Sequence, residues 1–354
     1  MTQTRLWMIA VGMSAACSSR APNAEPPPPS PTARGSSLMI DGCDRPSSLF
    51  LDVPEVLADA KHPCHAWVEA VHRRVFRQTL DSAVLWSRRT KHETGVLVTA
   101  MHTLGGGWFG PGGEPIKQEL FDPTTQDEGV PRLFAPDAKG SFASAASALW
   151  PLYVPAVPGD ETRGKLEDIL PRHDFVLAAV DGQTFTTPHP GLAPAAGKIQ
   201  TRKLELDDAN RATTATPTFA AAKAGDVVML VGVPKGHVVA FASVARVLDA
   251  REVAAAQDFL RKANDEEGSI AYDPEAELFL EGHGVGGMSG GGAFDREGNL
   301  VGVIVRGSIE KGPNGVPYTR VVRMPFIVAQ VRAAVAALPA PKRAAIELWL
   351  GDLE

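Results

Sequence analysis

The sequence has no run of basic residues, no long apolar run and little cysteine, and each shortage excludes a class of protein. A net charge of -6 without a basic run argues against nucleic acid as a partner, because phosphate binding needs a basic face. The apolar stretch at residues 6–13 is too short to span a bilayer as a helix. The segment "HPCHAW" (62–67) lacks a second cysteine or histidine pair at zinc spacing, so we expect no metal site. What remains, 44% hydrophobic and 21% charged residues over 354 positions, is typical of a globular protein.

The N-terminus, "MTQTRLWMIAVGMSAAC", predicts an export signal over residues 1–17. One basic residue, Arg5, precedes a short apolar stretch and then small residues. The end of the segment, "SAAC", resembles the lipobox of bacterial lipoproteins, in which the cysteine, here Cys17, is lipidated. Ser14 departs from that motif, which usually has leucine there. Lipidation of Cys17 and an ordinary signal peptide therefore both stay open, and both predict an exported protein, periplasmic or at the cell surface.

Two further segments precede the predicted catalytic domain. Residues 18–37 are rich in proline and serine and are predicted to form an extended linker. Residues 38–80 form an N-terminal extension with a predicted helix over 54–78; whether residues 38–78 are removed as a propeptide is left open. Export permits a disulfide, and Cys43 and Cys64 are the remaining candidates if Cys17 is lipidated.

After residue 80, strand signals dominate the chain. The candidate strands are short, β-branched and separated by Gly, Pro and Asp turns, which is typical of all-β barrels or sandwiches. They lie at 82–88, 94–100, 174–180, 198–206, 226–233, 238–248, 277–282 and 300–307. A helical insert is predicted at 252–268, and two helices at 325–338 and 341–353, within a C-terminal segment 325–354. The predicted fold class is all-β with an N-terminal helix, a helical insert and C-terminal helices.

Three polar residues in this pattern suit acyl-transfer chemistry. His102 ends an apolar strand, where a near-neutral imidazole can exchange a proton at a rim. Asp174 begins another strand and could orient such a histidine. Ser289 lies in "GVGGMSGGG" (284–292), whose glycines permit the backbone to approach a substrate closely. Each residue alone is more simply a packed, turn or surface residue, so their combination has to decide.

The chain order and local context of these residues resemble those of the chymotrypsin-like (trypsin-like) serine peptidases. "TAMH" (99–102) is similar to that family's TAAH, "HDFVLAAV" (173–180) to its DIALL-type strand, and "GMSGGG" (287–292) to GDSGGP. "NLVGVIVRGS" (299–308) is similar to LVGIVSWGS, and "GVPYTRV" (315–321) to GVYTRV with Pro317 inserted. "GVPKGH" (232–237) resembles a turn of bacterial HtrA-like members. The resemblance covers residues 80–330.

The resemblance implies two six-stranded antiparallel barrels, at 80–190 and 195–325, with a catalytic cleft between them. It makes Ser289 the nucleophile, His102 the general base and then acid, and Asp174 the residue that holds the imidazole. The backbone N–H groups of Gly287 and Ser289 would form the oxyanion hole. Substrate binding would fall to four residues of the same barrel: His283, Val305, Arg306 and Gly307. No cofactor is implied.

Met288 departs from the family, because animal trypsins carry there an aspartate that pairs with a new N-terminus. No activation sequence such as IVGG is present, and Thr103 stands where the family has a disulfide cysteine. These departures favour a bacterial single-domain type, without a PDZ domain, whose oxyanion loop forms without cleavage. Cationic His283 and Arg306 would favour an acidic P1 residue; otherwise Arg306 faces solvent and the pocket takes small apolar side chains.

Two functions therefore remain at this stage. The first is an exported or lipid-anchored serine endopeptidase that acts on protein or peptide substrates. The second is a non-catalytic protease-like fold that serves as a peptide-binding or structural surface lipoprotein. Either would contact a membrane only through the N-terminal lipid, and the sequence does not indicate an oligomeric state.

Overall fold

A computed structural model describes residues 43–78, 81–89, 95–104, 132–156, 170–181, 197–199, 213–215 and 218–351. The predicted signal peptide, the linker and Cys17 lie outside these residues, as do positions 200–206 of one candidate strand. Within the described ranges the strands are β1 Leu51–Asp52, β2 Val75–Gln78, β3 Ser82–Arg89, β4 Gly95–Thr99, β5 Arg132–Pro136, β6 Phe142–Tyr153, β7 Val176–Asp181, β8 Thr213–Ala215, β9 Val227–Gly232, β10 Phe241–Val247, β11 Glu277–Glu281, β12 Gly292–Phe294, β13 Leu300–Lys311 and β14 Pro317–Arg323. The α-helices are α1 Val53–Ala58, α2 His65–Val71, α3 Ala250–Lys262, α4 Met324–Ala336 and α5 Ala340–Leu350.

The strands form two closed antiparallel barrels of six strands each. The first runs β2-β5-β6-β7-β4-β3 and closes through the β2–β3 pairing, with β8 added at β3. The second runs β10-β11-β14-β13-β12-β9 and closes through β9–β10, with β1 added at β10. Closure pairs all six strands of each barrel on both sides, whereas the added strands β1 and β8 are each paired on one side. The predicted all-β double-barrel fold is confirmed.

The apolar runs in the sequence come from strands that are buried on both faces. In β9, Val228 and Leu230 pack inside the second barrel, whereas Met229 and Val231 pack into a larger cluster that contains residues of both barrels and of the terminal helices. Successive side chains of a strand point to opposite faces. A strand covered on both sides therefore shows a continuous apolar run rather than an alternating pattern.

The N-terminal extension does not form the single helix predicted over 54–78. Asp52 caps α1 by accepting from Glu55 N at 3.0 Å, α1 ends at Ala58, and α2 starts only at His65. The β-branched and aromatic pair at Val75 and Phe76 then begins β2.

The same extension is an integral part of both barrels. Strand β2 closes the first barrel, β1 extends the second, and a disulfide joins Cys43 to Cys64. Because removal of residues 43–78 would take a strand out of the first barrel, this segment does not behave as a detachable propeptide.

The helices elsewhere follow the sequence expectations closely. The predicted insert is α3, which begins with a capping box between Asp249 and Glu252, followed by a short 3₁₀ turn at Glu266–Gly268. Helix α5 lies on the first barrel, where Trp86 Nε1 and Ser87 Oγ donate to the carbonyls of Leu350 (2.9 Å) and Trp349 (2.7 Å). Across the described part of the chain, no helix has the length and apolar character needed to cross a membrane.

Besides β2, the strands absent from the sequence expectations are β1, β5, β6, β8, β12 and β14. The segment of β6, "FASAASALWPLY", is rich in alanine and serine, which have low strand propensity. Its strand state is set by pairing with β5 and β7 on either side.

Candidate active site

His102 and Asp174 meet at the rim of the first barrel. Strand β4 ends at Thr99, and a 3₁₀ turn over Met101–Leu104 carries His102. Asp174 follows another 3₁₀ turn, just before β7, and is fully buried. Its carboxylate accepts twice from the histidine, from the backbone N–H at 3.0 Å and from the ring Nδ1 at 2.7 Å. The second bond assigns the ring proton to Nδ1 and leaves Nε2 as the acceptor of a further proton.

The turn that carries His102 is held by its small and polar neighbours. Ala100 and Met101 are fully buried, and Thr103 Oγ1 donates to the Ala100 carbonyl at 2.7 Å. Thr99 Oγ1 donates to the carbonyl of Ser82 on the adjacent β3 at 2.8 Å. The turn is thus bonded to the barrel wall, and the imidazole is presented from a rigid base.

The electrostatic surroundings of His102 favour its protonated form. Burial by itself lowers the pKa of the imidazole, but the charge and hydrogen bond of Asp174 outweigh burial, and Asp81 adds to them. The pKa of His102 is therefore raised. Asp81 itself is largely buried, and burial raises its pKa to about 6, against the opposing charges of His102 and Lys235.

Ser289 lies in a loop of the second barrel that packs against β3 and against Thr99, the last residue of β4 before the turn of His102. A Cβ on the next residue, Gly290, would come within 2.0 Å of Ser82 O and 2.2 Å of Thr99 Oγ1, so only glycine fits this approach. The Ser289 hydroxyl donates at 3.4 Å to the carbonyl of Val305. No hydrogen bond joins it to His102 within the described ranges. Such bonds are often long in a free enzyme and tighten when substrate binds.

Every carbonyl of the loop from residue 286 to 289 accepts a hydrogen bond. The donors come from three places: the "GVPKGH" turn, strand β3 of the first barrel, and the loop itself. In chain order the bonds are Lys235 N to Gly286 O (2.8 Å), Ser82 Oγ to Gly287 O (2.9 Å), Gly291 N to Met288 O (2.9 Å) and Ser82 N to Ser289 O (3.0 Å). The orientation of each peptide plane is therefore fixed.

The fixed carbonyls determine where the N–H groups of the loop point. In a trans peptide the N–H is directed opposite to the carbonyl of the preceding residue. The N–H groups of Met288 and Gly290 donate to Val285 O and Ile304 O. Those of Gly287 and Ser289 have no acceptor among the described residues. Two backbone donors flanking the Ser289 side chain are what an oxyanion site requires.

Met288 holds the loop by packing rather than by a charge. Its side chain is fully buried in the cluster inside the second barrel, with Leu230 and Ile304. A Cβ on Gly232 would lie 2.9 Å from Met288 Cα, so glycine at the end of β9 makes room for it. An apolar side chain thus anchors the loop at the position next to Ser289.

His283 is engaged by the N-terminal extension. Its Nδ1 lies 2.9 Å from the Ser48 carbonyl, and its ring stacks on Phe50 with centroids 4.1 Å apart. Burial lowers the pKa of His283, with the nearby charge of Lys311 adding to burial. The ring is therefore neutral near pH 7 and donates from Nδ1 to Ser48, so it does not present a positive charge to a substrate.

Arg306 is turned toward the helical insert. Its guanidinium lies 3.6 Å from Glu267, which also contacts the fully buried Arg320 at 3.5 Å. The side chain of Arg306 is only 12% exposed. The side chain therefore does not face solvent, while its charge acts on His102 and by itself lowers the pKa of that imidazole.

Val305 and Gly307 belong to β13, which passes directly beside the serine loop. Val305 accepts from Ser289 Oγ through its carbonyl, while its side chain is buried in the core. A Cβ on Gly307 would lie 2.5 Å from the Gly284 carbonyl. Strand β13 therefore contacts the serine loop at two points, with Val305 at Ser289 and Gly307 at Gly284.

Sequence reasoning missed Ser82, Glu267 and the backbone of Lys235. The "GVPKGH" motif did mark the Lys235 turn, although not its contact with Gly286. Nothing local distinguishes Ser82 from any other strand serine, because its partners lie 151 and 205 positions away.

No family model matches this chain, and no curated protein matches it. Many solved structures are similar to it, including the following three. The Rv3671c protease of M. tuberculosis, in an inactive form, is 15% identical, over 75% of this chain and 91% of that one, with a TM-score of 0.39. The HtrA-type protease AlgW is 12% identical over 81% and 68% of the two chains, with a TM-score of 0.39. A scabies mite inactivated protease paralogue is 9% identical over 84% and 97%, with a TM-score of 0.43.

Proposed function

We propose that this protein is a serine endopeptidase that hydrolyses peptide bonds through an acyl-enzyme. One observation carries the proposal: the His102–Asp174 pair lies beside a loop in which the Gly287 and Ser289 N–H groups flank the Ser289 hydroxyl. The pair supplies a base of fixed tautomer, and the loop supplies donors for a developing oxyanion.

The proposed reaction follows from these positions. Ser289 Oγ attacks the substrate carbonyl while His102 Nε2 takes its proton, and Asp174 stabilises the imidazolium through Nδ1–H. The carbonyl oxygen, now negative, accepts from Gly287 N–H and Ser289 N–H; one such donor is worth roughly 3–4 kcal/mol of barrier. His102 then protonates the leaving amine, and water, activated by the same imidazole, releases the acid and regenerates Ser289.

The substrate strand is proposed to pair with the backbone of Val305 and Gly307 beside the serine loop, as in β-addition. An acidic P1 residue is not favoured, because His283 is neutral and the Arg306 side chain is turned toward Glu267 of the helical insert. We propose an uncharged P1 side chain. A cleavage profile on a peptide library would test this, and a dominant preference for Glu or Asp at P1 would contradict it.

The proposal is tested by labelling the full-length protein with a fluorophosphonate probe. Ser289 should react covalently, because the probe requires an activated serine and a formed oxyanion site. Labelling should vanish in Ser289→Ala. Ser87→Ala, which changes a buried serine beside helix α5, should keep it.

The alternative is a non-catalytic, peptide-binding surface protein with this fold. One observation favours it: the Ser289 hydroxyl donates to Val305 O and not to His102. A folded wild-type protein that resists the probe as fully as Ser289→Ala would establish this alternative. Binding of peptides to the unlabelled protein, measured by fluorescence anisotropy, would then define its role.

We also propose that the protein is exported and anchored through a lipid on Cys17. The disulfide between Cys43 and Cys64 supports export, since disulfides persist in oxidising compartments. Expression in a bacterial host with labelled palmitate should give a labelled protein, and Cys17→Ser should not be labelled. An unlabelled wild type released into the soluble fraction would instead indicate an ordinary signal peptide.

A further inference from the structure

We propose that Ser82 is a positioning residue for the oxyanion site, and this inference rests on the proposed function. Ser82 begins β3 of the first barrel and is fully buried. Its hydroxyl donates to Gly287 O at 2.9 Å and accepts from Val233 N at 2.7 Å. Its own N–H donates to Ser289 O at 3.0 Å. One residue of the first barrel thus holds the carbonyls on both sides of Met288.

The chemistry of the contact calls for a hydroxyl. Val233 N–H needs an acceptor and Gly287 O needs a donor, and a hydroxyl can serve both through one atom. Alanine at this position would leave both backbone groups buried without a partner, which is costly inside a protein. The role therefore belongs to the side chain and not to the strand alone.

The loop needs such a restraint because of its glycines. Gly287 has a φ of +94°, and a Cβ there would lie 2.1 Å from Lys235 N, so the position requires glycine. The preceding residue, Gly286, is also glycine, and two adjacent glycines allow the peptide between them to rotate at little cost. Rotation would turn the Gly287 N–H away from the substrate oxygen. Lys235 N fixes the peptide that carries this N–H through Gly286 O, and the Ser82 hydroxyl fixes the following peptide through Gly287 O, so the two contacts together hold Gly287.

The contact also makes the oxyanion site depend on both barrels. Ser82 comes from the first barrel, whereas Val233 and Gly287 belong to the second. In this chain the bond supplies a polar restraint on the loop, while Met288 supplies an apolar one. The donors are therefore positioned in the uncut chain by the docking of the two barrels.

The test compares hydrolysis of p-nitrophenyl acetate with that of its thiono analogue in wild type, Ser82→Ala and Ser87→Ala. Sulfur accepts hydrogen bonds weakly, so the oxo-to-thiono rate ratio reports the oxyanion donors and is independent of the fraction of active protein. Ser87 is the matched control, because it is an equally buried serine of β3 whose hydroxyl bonds Trp349 O instead.

For Ser82→Ala we expect kcat on the oxo ester to fall about 10- to 100-fold, less than the roughly 10²- to 10³-fold cost of losing one donor outright. KM should stay within about twofold, because the oxyanion donors bind the oxygen mainly in the transition state. The oxo-to-thiono ratio should fall with kcat. Ser87→Ala should keep the wild-type ratio.

An unchanged ratio in Ser82→Ala, with wild type active, would overturn the proposal. A wild type no faster than Ser289→Ala would instead contradict the proposed function, so the two failures are distinct. If Ser82→Ala does not fold, Ser82→Cys takes its place, because it is nearly isosteric and keeps only a weak donor. A wild-type ratio in that variant would equally overturn the role of the hydroxyl.

Discussion

The two barrels contribute to the site in different ways. The first presents His102 and Asp174 from short turns at strand ends, and two direct hydrogen bonds join them. The second presents a glycine loop whose shape depends on contacts from outside itself, including Ser82 of the first barrel. In the proposed mechanism, proton transfer is thus prepared within one barrel, whereas charge stabilisation requires that the barrels be docked.

Each end of the described chain contacts the barrel that is formed mainly by the other half of the sequence. The N-terminal segment pairs with β10 of the second barrel and holds His283 through Ser48. Helix α5 bonds to β3 of the first barrel. Each barrel therefore contacts the end of the described chain that is remote from it in sequence.

The second barrel also contains a buried charge cluster. Arg320 is fully buried, lies 2.7 Å from Glu277 and contacts Glu267. Burial raises the pKa of Glu277 to about 7, although the charge of Arg320 opposes the shift. The cluster connects β11 and β14 to the insert that holds Arg306, so the wall of the cleft depends on it.

The largest effect should come from breaking the pair in the first barrel. In Asp174→Asn the buried geometry is kept, but the amide favours the wrong imidazole tautomer, so the rate of ester hydrolysis should fall about 10⁴-fold. Stopped-flow or steady-state assays measure the fall, and a thermal melt checks folding. A loss below about tenfold in a folded variant would remove Asp174 from the proposed mechanism.

Breaking the charge cluster of the second barrel should be costly to stability. Arg320→Met leaves Glu277 and Glu267 buried without their shared partner, so the free energy of unfolding should fall by about 3–5 kcal/mol. Denaturant titration measures the change. Arg246→Met is the comparison, because that half-buried pair with Glu252 and Glu281 should be worth about 1 kcal/mol or less. Equal losses in both variants would show that burial of the cluster is unimportant.

Opening the disulfide should loosen the segment that spans both barrels. The bond closes a separation of 21 residues, so the double variant Cys43→Ser, Cys64→Ser should lose about 3 kcal/mol of unfolding free energy. Melting with and without reductant gives the same comparison in the wild type. A wild-type melting temperature that reductant leaves unchanged would contradict this expectation.

The smallest effect should be a shift of the pH–rate profile when the charge of Asp81, which acts on His102 of the first barrel, is removed. The base must be neutral, so activity rises with pH as His102 loses its proton. Because the pKa of His102 is raised, this rising part of the pH–rate profile should lie above pH 6.5. Asp81 contributes to the raised pKa and is ionised above about pH 6. Asp81→Asn removes this charge, so the rising part of the profile should move to lower pH. A pH–rate profile that is unmoved, or moved to higher pH, would contradict the assignment.

Much of this architecture was predictable because its signals are local. Apolar β-branched runs marked β3, β4, β7, β9, β10, β11 and β13, and the helical insert predicted at 252–268 contains most of α3. Strand β6 was not predicted, because alanine and serine carry little strand propensity and its pairing partners decide its state. The break between α1 and α2 was also missed, since β2 is fixed by pairing with β3 rather than by its own four residues.

The sequence by itself determined the residues that carry the proposed chemistry. His102, Asp174 and Ser289 were recognisable because each lies in a short motif with its own strand or glycine context. Only the tertiary structure decided how the serine loop is held: by the Ser82 hydroxyl, the Lys235 N–H and the burial of Met288. It also decided that His283 and Arg306 are already paired. These contacts join residues tens to hundreds of positions apart, and no local pattern encodes which distant groups meet when two barrels dock.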